Sequence, residues 1–243
     1  MKKNFYLTGI FLLLSFSAFS QEKFQDSTAL MILDKMSALM GEANSLGFTT
    51  HFSKDVAYAE DFFIKEFETS EIVLKGPNKF YVKSTGERKS EMFAYQGDQV
   101  VYYSFLNNIF TAAEAPDNLI ETLDWLYHDF DVEFTFADFL YPNFTTDLSE
   151  NMDYIEFLGT VMIDGNRTYH IGTANEHMTV QFWISDGAYF LPRKILITYL
   201  GEPYAHQVEA DFSDWEINND YPDSIFEFLP PPGAKQITWL SKD

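Results

Sequence analysis

The stretch Met178-Thr179-Val180-Gln181-Phe182-Trp183-Ile184-Ser185 alternates along its whole length. Val180, Phe182 and Ile184 fall on one face, and Gln181, Trp183 and Ser185 on the other. This is the two-residue period of a strand with one buried side. Ile195, Ile197 and Tyr199 form a similar row after Leu191-Pro192.

Working outward, strands are expected at Tyr154–Ile163, Thr168–Ala174, Arg193–Leu200 and His206–Trp215. Asp164-Gly165-Asn166 reads as a tight turn between the first two. Gly187, Pro192, Gly201 and Pro203 punctuate the remainder. Pro230-Pro231-Pro232-Gly233 cannot feed a hydrogen-bond ladder, so it must leave the sheet or run on its edge, with a last short strand near Gln236–Trp239. Upstream, Phe48, Thr50 and Phe52 alternate, and Ile64, Glu66 and Glu68 lead to Ile72 and Leu74. Gly76-Pro77-Asn78 makes a turn before Phe80 and Val82. Met92–Gln96 and Gln99–Tyr103 flank Gly97-Asp98 as a hairpin, and Asn108–Ala112 continues as a strand.

Between these strand-rich halves the period changes. Pro116 and Asp117 start a helix carrying Leu119, Leu123, Leu126, Tyr127 and Phe130. A short helix follows around Thr135–Tyr141, ended by Pro142, and a third runs from Asn143 to Glu150. Another helix precedes the sheet, with Ala29, Ile32, Leu33, Met36, Leu39 and Met40 at helical spacing. Asp26 or Ser27 caps it, and Gly41 and Gly47 bracket its exit. No repeat and no long linker divides the chain. The reading is one domain over residues 21–243 with a helical insert near 116–150, mainly β with α+β character, built on a large antiparallel sheet.

Residues 1–20 read as a cleavable export signal. Lys2 and Lys3 precede an apolar run from Phe5 to Phe16, and Ala18 and Ser20 supply a small-x-small cleavage site. That run is shorter than the roughly 20 residues a membrane span needs. No later segment is apolar enough to cross a bilayer. With no cysteine, thiolate chemistry, disulfides and the usual bacterial lipid anchor are excluded, so the product is expected free in the periplasm. The formal charge of −21 disfavours nucleic acid and anionic membrane surfaces. The 25 Phe, 14 Tyr and 4 Trp favour strands, and can either fill a core or line an apolar pocket.

Catalytic patterns are missing. The five histidines form no H-E-x-x-H or other close metal pair, and there is no G-x-S-x-G and no phosphate-binding glycine loop. Glu176-His177 reads as a surface loop. Arg193, at a strand start, is expected to pair with a strand carboxylate and lock the sheet; gating a pocket is its other reading. No enzyme activity, cofactor or metal is expected.

From about Phe62 to Ile237, an ordered set of short motifs resembles the predicted periplasmic family called domain of unknown function 2092. The set runs Phe157-Leu158-Gly159, Asp164-Gly165, Gln181-Phe182-Trp183-Ile184, Leu191-Pro192-Arg193-Lys194 and Ile197-Thr198-Tyr199. It closes with Phe212-Ser213-Asp214-Trp215, Phe226-Glu227-Phe228 and Pro231-Pro232-Gly233-Ala234. Asp138-Phe139-Leu140-Tyr141 in the insert fits the family's middle. The resemblance implies a fold similar to the lipoprotein carriers: a LolA-like half-barrel, whose curved antiparallel sheet packs helices on its concave face around an apolar cavity.

Leu119, Leu123, Leu126 and Phe139 from the insert, with Val180, Phe182, Ile184, Ile195 and Ile197 from the strands, are the candidates to line such a cavity. The expected ligand is lipid-like, an acyl chain or an acylated protein. The alternatives are an envelope scaffold that has a filled core and binds a protein partner, and a hydrolase using cavity carboxylates.

Overall fold

The alternation around Met178–Ser185 belongs to the middle of one half of a single continuous sheet. The computed structural model describes residues 23–59, 62–134, 137–141, 143–201 and 205–240; residues 1–20, expected to be an export signal, lie outside them. In chain order the elements are β1 (Phe24–Gln25), α1 (Ser27–Glu42), β2 (Ser45–Ala59), β3 (Phe62–Lys75), β4 (Lys79–Gly86), β5 (Ser90–Tyr95), β6 (Gln99–Ser104) and β7 (Ile109–Glu114). Then come α2 (Leu119–Phe130), a 3₁₀ turn (Ala137–Leu140), α3 (Phe144–Asn151), β8 (Tyr154–Ile163), β9 (Asn166–Ala174), β10 (Met178–Ser185), β11 (Pro192–Tyr199), β12 (Gln207–Ile217) and β13 (Lys235–Gln236).

The strands form one large, curved, open sheet in the order β1-β8-β9-β10-β11-β12-β2-β3-β4-β5-β6-β7-β13. All neighbours are antiparallel except the two-residue edge pieces, where β1 runs parallel to β8 and β13 parallel to β7. β12 and β2 join the two halves, pairing from Val208↔Lys54 to Ile217↔Leu46. Patterning therefore pointed to the right class, mainly β on a large antiparallel sheet, and the family resemblance to its half-barrel form with helices packed on the concave face.

Local chemistry explains the boundaries. Asp26 caps α1, its Oδ1 accepting from the Thr28 and Ala29 amides at 2.7 and 3.1 Å. The Asp164-Gly165 turn has φ of 48° and 76° at its central residues, the left-handed pair that a two-residue hairpin loop requires. α2 begins at Leu119 rather than at Pro116. Asn118 is its cap, its Oδ1 accepting from the Ile120 and Glu121 amides at 2.9 and 3.3 Å.

Gly41 and Gly47 do not bracket the first helix. Gly41 lies inside α1, and Gly47 inside β2, where a Cβ would sit 1.9 Å from the Tyr221 hydroxyl. The expected helix over Thr135–Tyr141 shrinks to the 3₁₀ turn, with Thr135, Phe136 and Pro142 outside the described residues. The proline run leaves the sheet, and the last strand is Lys235–Gln236, earlier than expected.

Candidate functional site

Side chains paired across neighbouring strands share a face, so the register sorts the concave surface of β2 to β6 into rows. At one end lie Leu46, Leu74, Phe80, Tyr95 and Val100. Next come Phe48, Ile72, Val82, Phe93 and Tyr102. The third row is polar: Thr50, Ser70, Ser84, Glu91 and Ser104. Beyond it Phe52 pairs with Glu68, and Lys54 with Glu66. On β3 to β5 polarity rises along the strand axis, while Phe52 on β2 and Phe212, Ala210 and Val208 on β12 keep the adjoining side apolar.

A cavity of about 580 Å³ lies over these rows. Its roof is Leu123 of α2, the segment Asp131–Phe134, Phe139 and Leu140 of the 3₁₀ turn, and Trp239 of the C-terminal tail. Phe134 meets Phe80 and Phe93 edge-on, at 5.6 and 5.3 Å between centroids. Phe139 packs on Phe48 and Phe212 at 6.3 and 5.5 Å. Trp239 lies against Phe130 at 4.4 Å and close to Phe93 and Tyr102. The volume falls in the range of small-molecule sites, roughly 300–1,000 Å³.

The polar row is internally bonded. Ser70 and Ser84 share a hydrogen bond of 2.7 Å, and the Ser70 hydroxyl also lies 3.0 Å from Glu68. Lys89 bridges Glu68 at 2.8 Å and Glu91 at 3.1 Å. Tyr102 donates to Glu91 at 3.2 Å. Burial works against the Lys89 ammonium, but the two carboxylates outweigh it and hold its pKa above the ordinary lysine value. Burial, with Glu91 beside it, pushes the Tyr102 phenol up.

The sequence-chosen pocket residues divide. Leu123 and Phe139 line the cavity. Leu126 is fully buried beneath α2, and Leu119 packs half-buried on the core. Val180, Phe182, Ile184 and Ile195 are buried in the core, with Phe144 of α3 edge-on to Phe182 at 5.9 Å; Ile197 packs half-buried against the same core. Phe182 and Ile195 share a register row with Ala210 and Phe52, so they lie on the cavity's own face of the sheet. The cavity starts at Tyr199 at the end of β11 and Val208, Ala210 and Phe212 of β12, and extends from there over β2 to β6. The first-half residues Ile72, Val82 and Phe93 were not among the candidates. Their alternation was legible, but nothing local says that a helix leaves them uncovered.

Arg193 ties β11 to β10 through a hydroxyl rather than through the expected strand carboxylate. Its Nε donates to Ser185 at 2.9 Å, while Lys194 forms the ion pairs across β12, with Glu209 and with Asp211 at 2.9 Å. Glu176 and His177 are an exposed pair 3.4 Å apart in the β9–β10 turn. Among the described residues, no group of three His, Asp or Glu side chains is placed to hold a metal ion, and no helix is long and apolar enough to cross a membrane.

The family model for predicted periplasmic proteins (DUF2092) matches residues 29–240, most of the chain. No curated protein matches it. Among solved structures, the lipoprotein LppX of Mycobacterium tuberculosis is 14% identical, with a TM-score of 0.50, covering 82% of this chain and 99% of its own. An uncharacterized conserved protein from Thermus thermophilus is 11% identical at a TM-score of 0.49, covering 87% and 99%. A LolA superfamily protein from Nitrosomonas europaea is 13% identical at 0.38, covering 82% and 97%. At 14% identity the likeness to LppX is one of fold alone.

Proposed function

The chain belongs to the predicted periplasmic protein family (DUF2092), and we propose from that premise that it is a non-enzymatic binding protein for one lipid-like molecule. The ligand lies between the first half of the sheet and its roof of α2, the 3₁₀ turn and Trp239. The observation that carries this reading is the cavity of about 580 Å³ floored by Phe48, Ile72, Leu74, Phe80, Val82 and Phe93. An acyl chain in the periplasm gains about 0.8 kcal/mol for each CH₂ taken from water. A cavity with this floor recovers that energy, whereas a scaffold's filled core does not. In this reading the leader over residues 1–20 delivers the protein to the compartment and is then removed.

The test is titration with an environment-sensitive naphthylamine probe, displaced by added lipid. Saturable binding is expected, and it should be abolished by Val82→Phe, which puts a ring into the cavity from its floor. Absence of saturable binding, or binding unaffected by Val82→Phe, would overturn the assignment.

A second reading has its own observation. The tip of the β2–β3 hairpin exposes Tyr58 and Phe62, with Phe67 exposed further down β3. An envelope protein partner docking there would cover these rings. Crosslinking from position 58 in the periplasm checks it.

A further inference from the structure

The cavity wall is graded, and the gradient constrains what a bound molecule looks like. Same-face rows lie about 7 Å apart along a strand, two residues of rise. On β3 to β5 the apolar rows through Leu74 and Phe80 and through Ile72, Val82 and Phe93 thus give way within one row spacing to hydroxyls, and then to the charge of Glu68, while Phe52, Ala210 and Val208 continue an apolar strip beside them. A wholly apolar occupant would leave Thr50, Ser70, Ser84 and Glu91 facing hydrocarbon. A wholly polar one would leave Phe48, Ile72 and Phe93 facing water. Only a molecule with a tail at one end and a polar head at the other matches both.

The charges at the head end have a sign. At the polar end of the floor stand Glu68 and Glu91 with Lys89, and Lys54 lies beyond them opposite Glu66; Glu133 adds a carboxylate from the roof. Lys89 is engaged by Glu68 and Glu91 together, so that triad keeps one uncompensated negative charge. The chain as a whole stands at −21, and the surrounding field adds to the local excess. An anionic head would meet this excess in a partly desolvated mouth, where charges interact more strongly than in bulk water.

We infer that the cavity takes an amphipath tail-first and selects a cationic or uncharged hydrogen-bonding head, rejecting anionic heads of the same tail length. This rests on the binding reading above and adds head-group selectivity to it. Glu68 and Glu91 set the preference, and Lys89 moderates it.

Three ligands with one tail test the inference: tetradecylamine, 1-monotetradecanoylglycerol and tetradecanoate. Each is titrated below its aggregation threshold at neutral pH and low salt, by displacement of the naphthylamine probe. The amine and the glyceride should bind about tenfold more tightly than the carboxylate. The isosteric double variant Glu68→Gln/Glu91→Gln leaves Lys89 without its carboxylates, and should erase or reverse that order. Lys89→Gln should widen it, which provides a second variant acting in the opposite direction should the double variant fold poorly. Equal affinities for the three heads, or an order unmoved by these variants, would overturn the inference while leaving a lipid-binding cavity intact. Binding of none of the three would overturn the cavity reading itself, and the selectivity with it.

Discussion

The two halves of the concave face are built from the same alternating pattern and end differently. Over β8 to β11 the helices seat their side chains fully. α1 buries Ile32, Leu33 and Met36 at 1%, 0% and 0% exposure, and α3 adds Phe144, while the sheet answers with Ile155, Ile171 and Ile184 at 0%. Over β2 to β6 the cover is thinner. α2 buries Thr122, Leu123 and Leu126, and the rest of the roof is a loop, a 3₁₀ turn and the tail bearing Trp239. The packed half supplies rigidity, and the half-covered one leaves space. A cavity here is a matter of how much helix lies over a strand, and much less of which residues the strand carries.

Matched substitutions can break this contrast. Ile171→Ala on the packed half should cost about 4 kcal/mol, the upper part of the range for a core site that cannot collapse. Ile72→Ala on the cavity floor should cost about 1 kcal/mol, because one side of Ile72 already faces unfilled space. Urea unfolding measures both, and equal losses would mean that the halves are packed alike.

Enlargement gives the converse. Thr173, 3% exposed and bonded to the Val180 carbonyl at 3.2 Å, should not accept a ring: Thr173→Phe is expected to lose about 3 kcal/mol. Val82→Phe projects into the cavity and should change stability by less than about 1 kcal/mol, read as a thermal midpoint almost unmoved.

A smaller effect concerns the junction of the halves. Asp55 of β2 accepts from the Gln207 amide of β12 at 2.8 Å and pairs with Lys65 of β3 at 2.8 Å. Burial works against its charge, but these partners prevail and hold its carboxyl below the ordinary 3.8. Its contribution is therefore present above pH 3.8 and lost as pH falls through the depressed value. Asp55→Asn should lower stability at neutral pH by about 1 kcal/mol and leave a shallower acid branch in a pH series of unfolding midpoints. An acid branch identical to that of the wild type would remove Asp55 from the junction.

Much of this was legible in the residues. Alternation located the strands of the second half and the inward face of Phe182 and Ile195. Turn chemistry located Asp164-Gly165. The half-barrel class followed from helices falling before and between strand-rich halves, together with the family motifs. The cavity's place was not legible. Period-two patterning reports which face is inward, and it is silent on whether a helix arrives to cover that face. Phe182 and Ile72 look alike in sequence. They differ because Phe144 packs against one, while the other faces the space beneath α2. The polar row was hidden for a related reason. Thr50, Ser70, Ser84 and Glu91 come from four different strands and meet only through register.

Native mass spectrometry of the protein purified from its own periplasm, wild type beside Val82→Phe, asks the decisive question. A single amphipathic adduct should ride with the wild type, be released under denaturing conditions and be absent from Val82→Phe at unchanged thermal stability. An adduct-free wild type, or an adduct retained by Val82→Phe, would contradict a cavity built to hold a ligand.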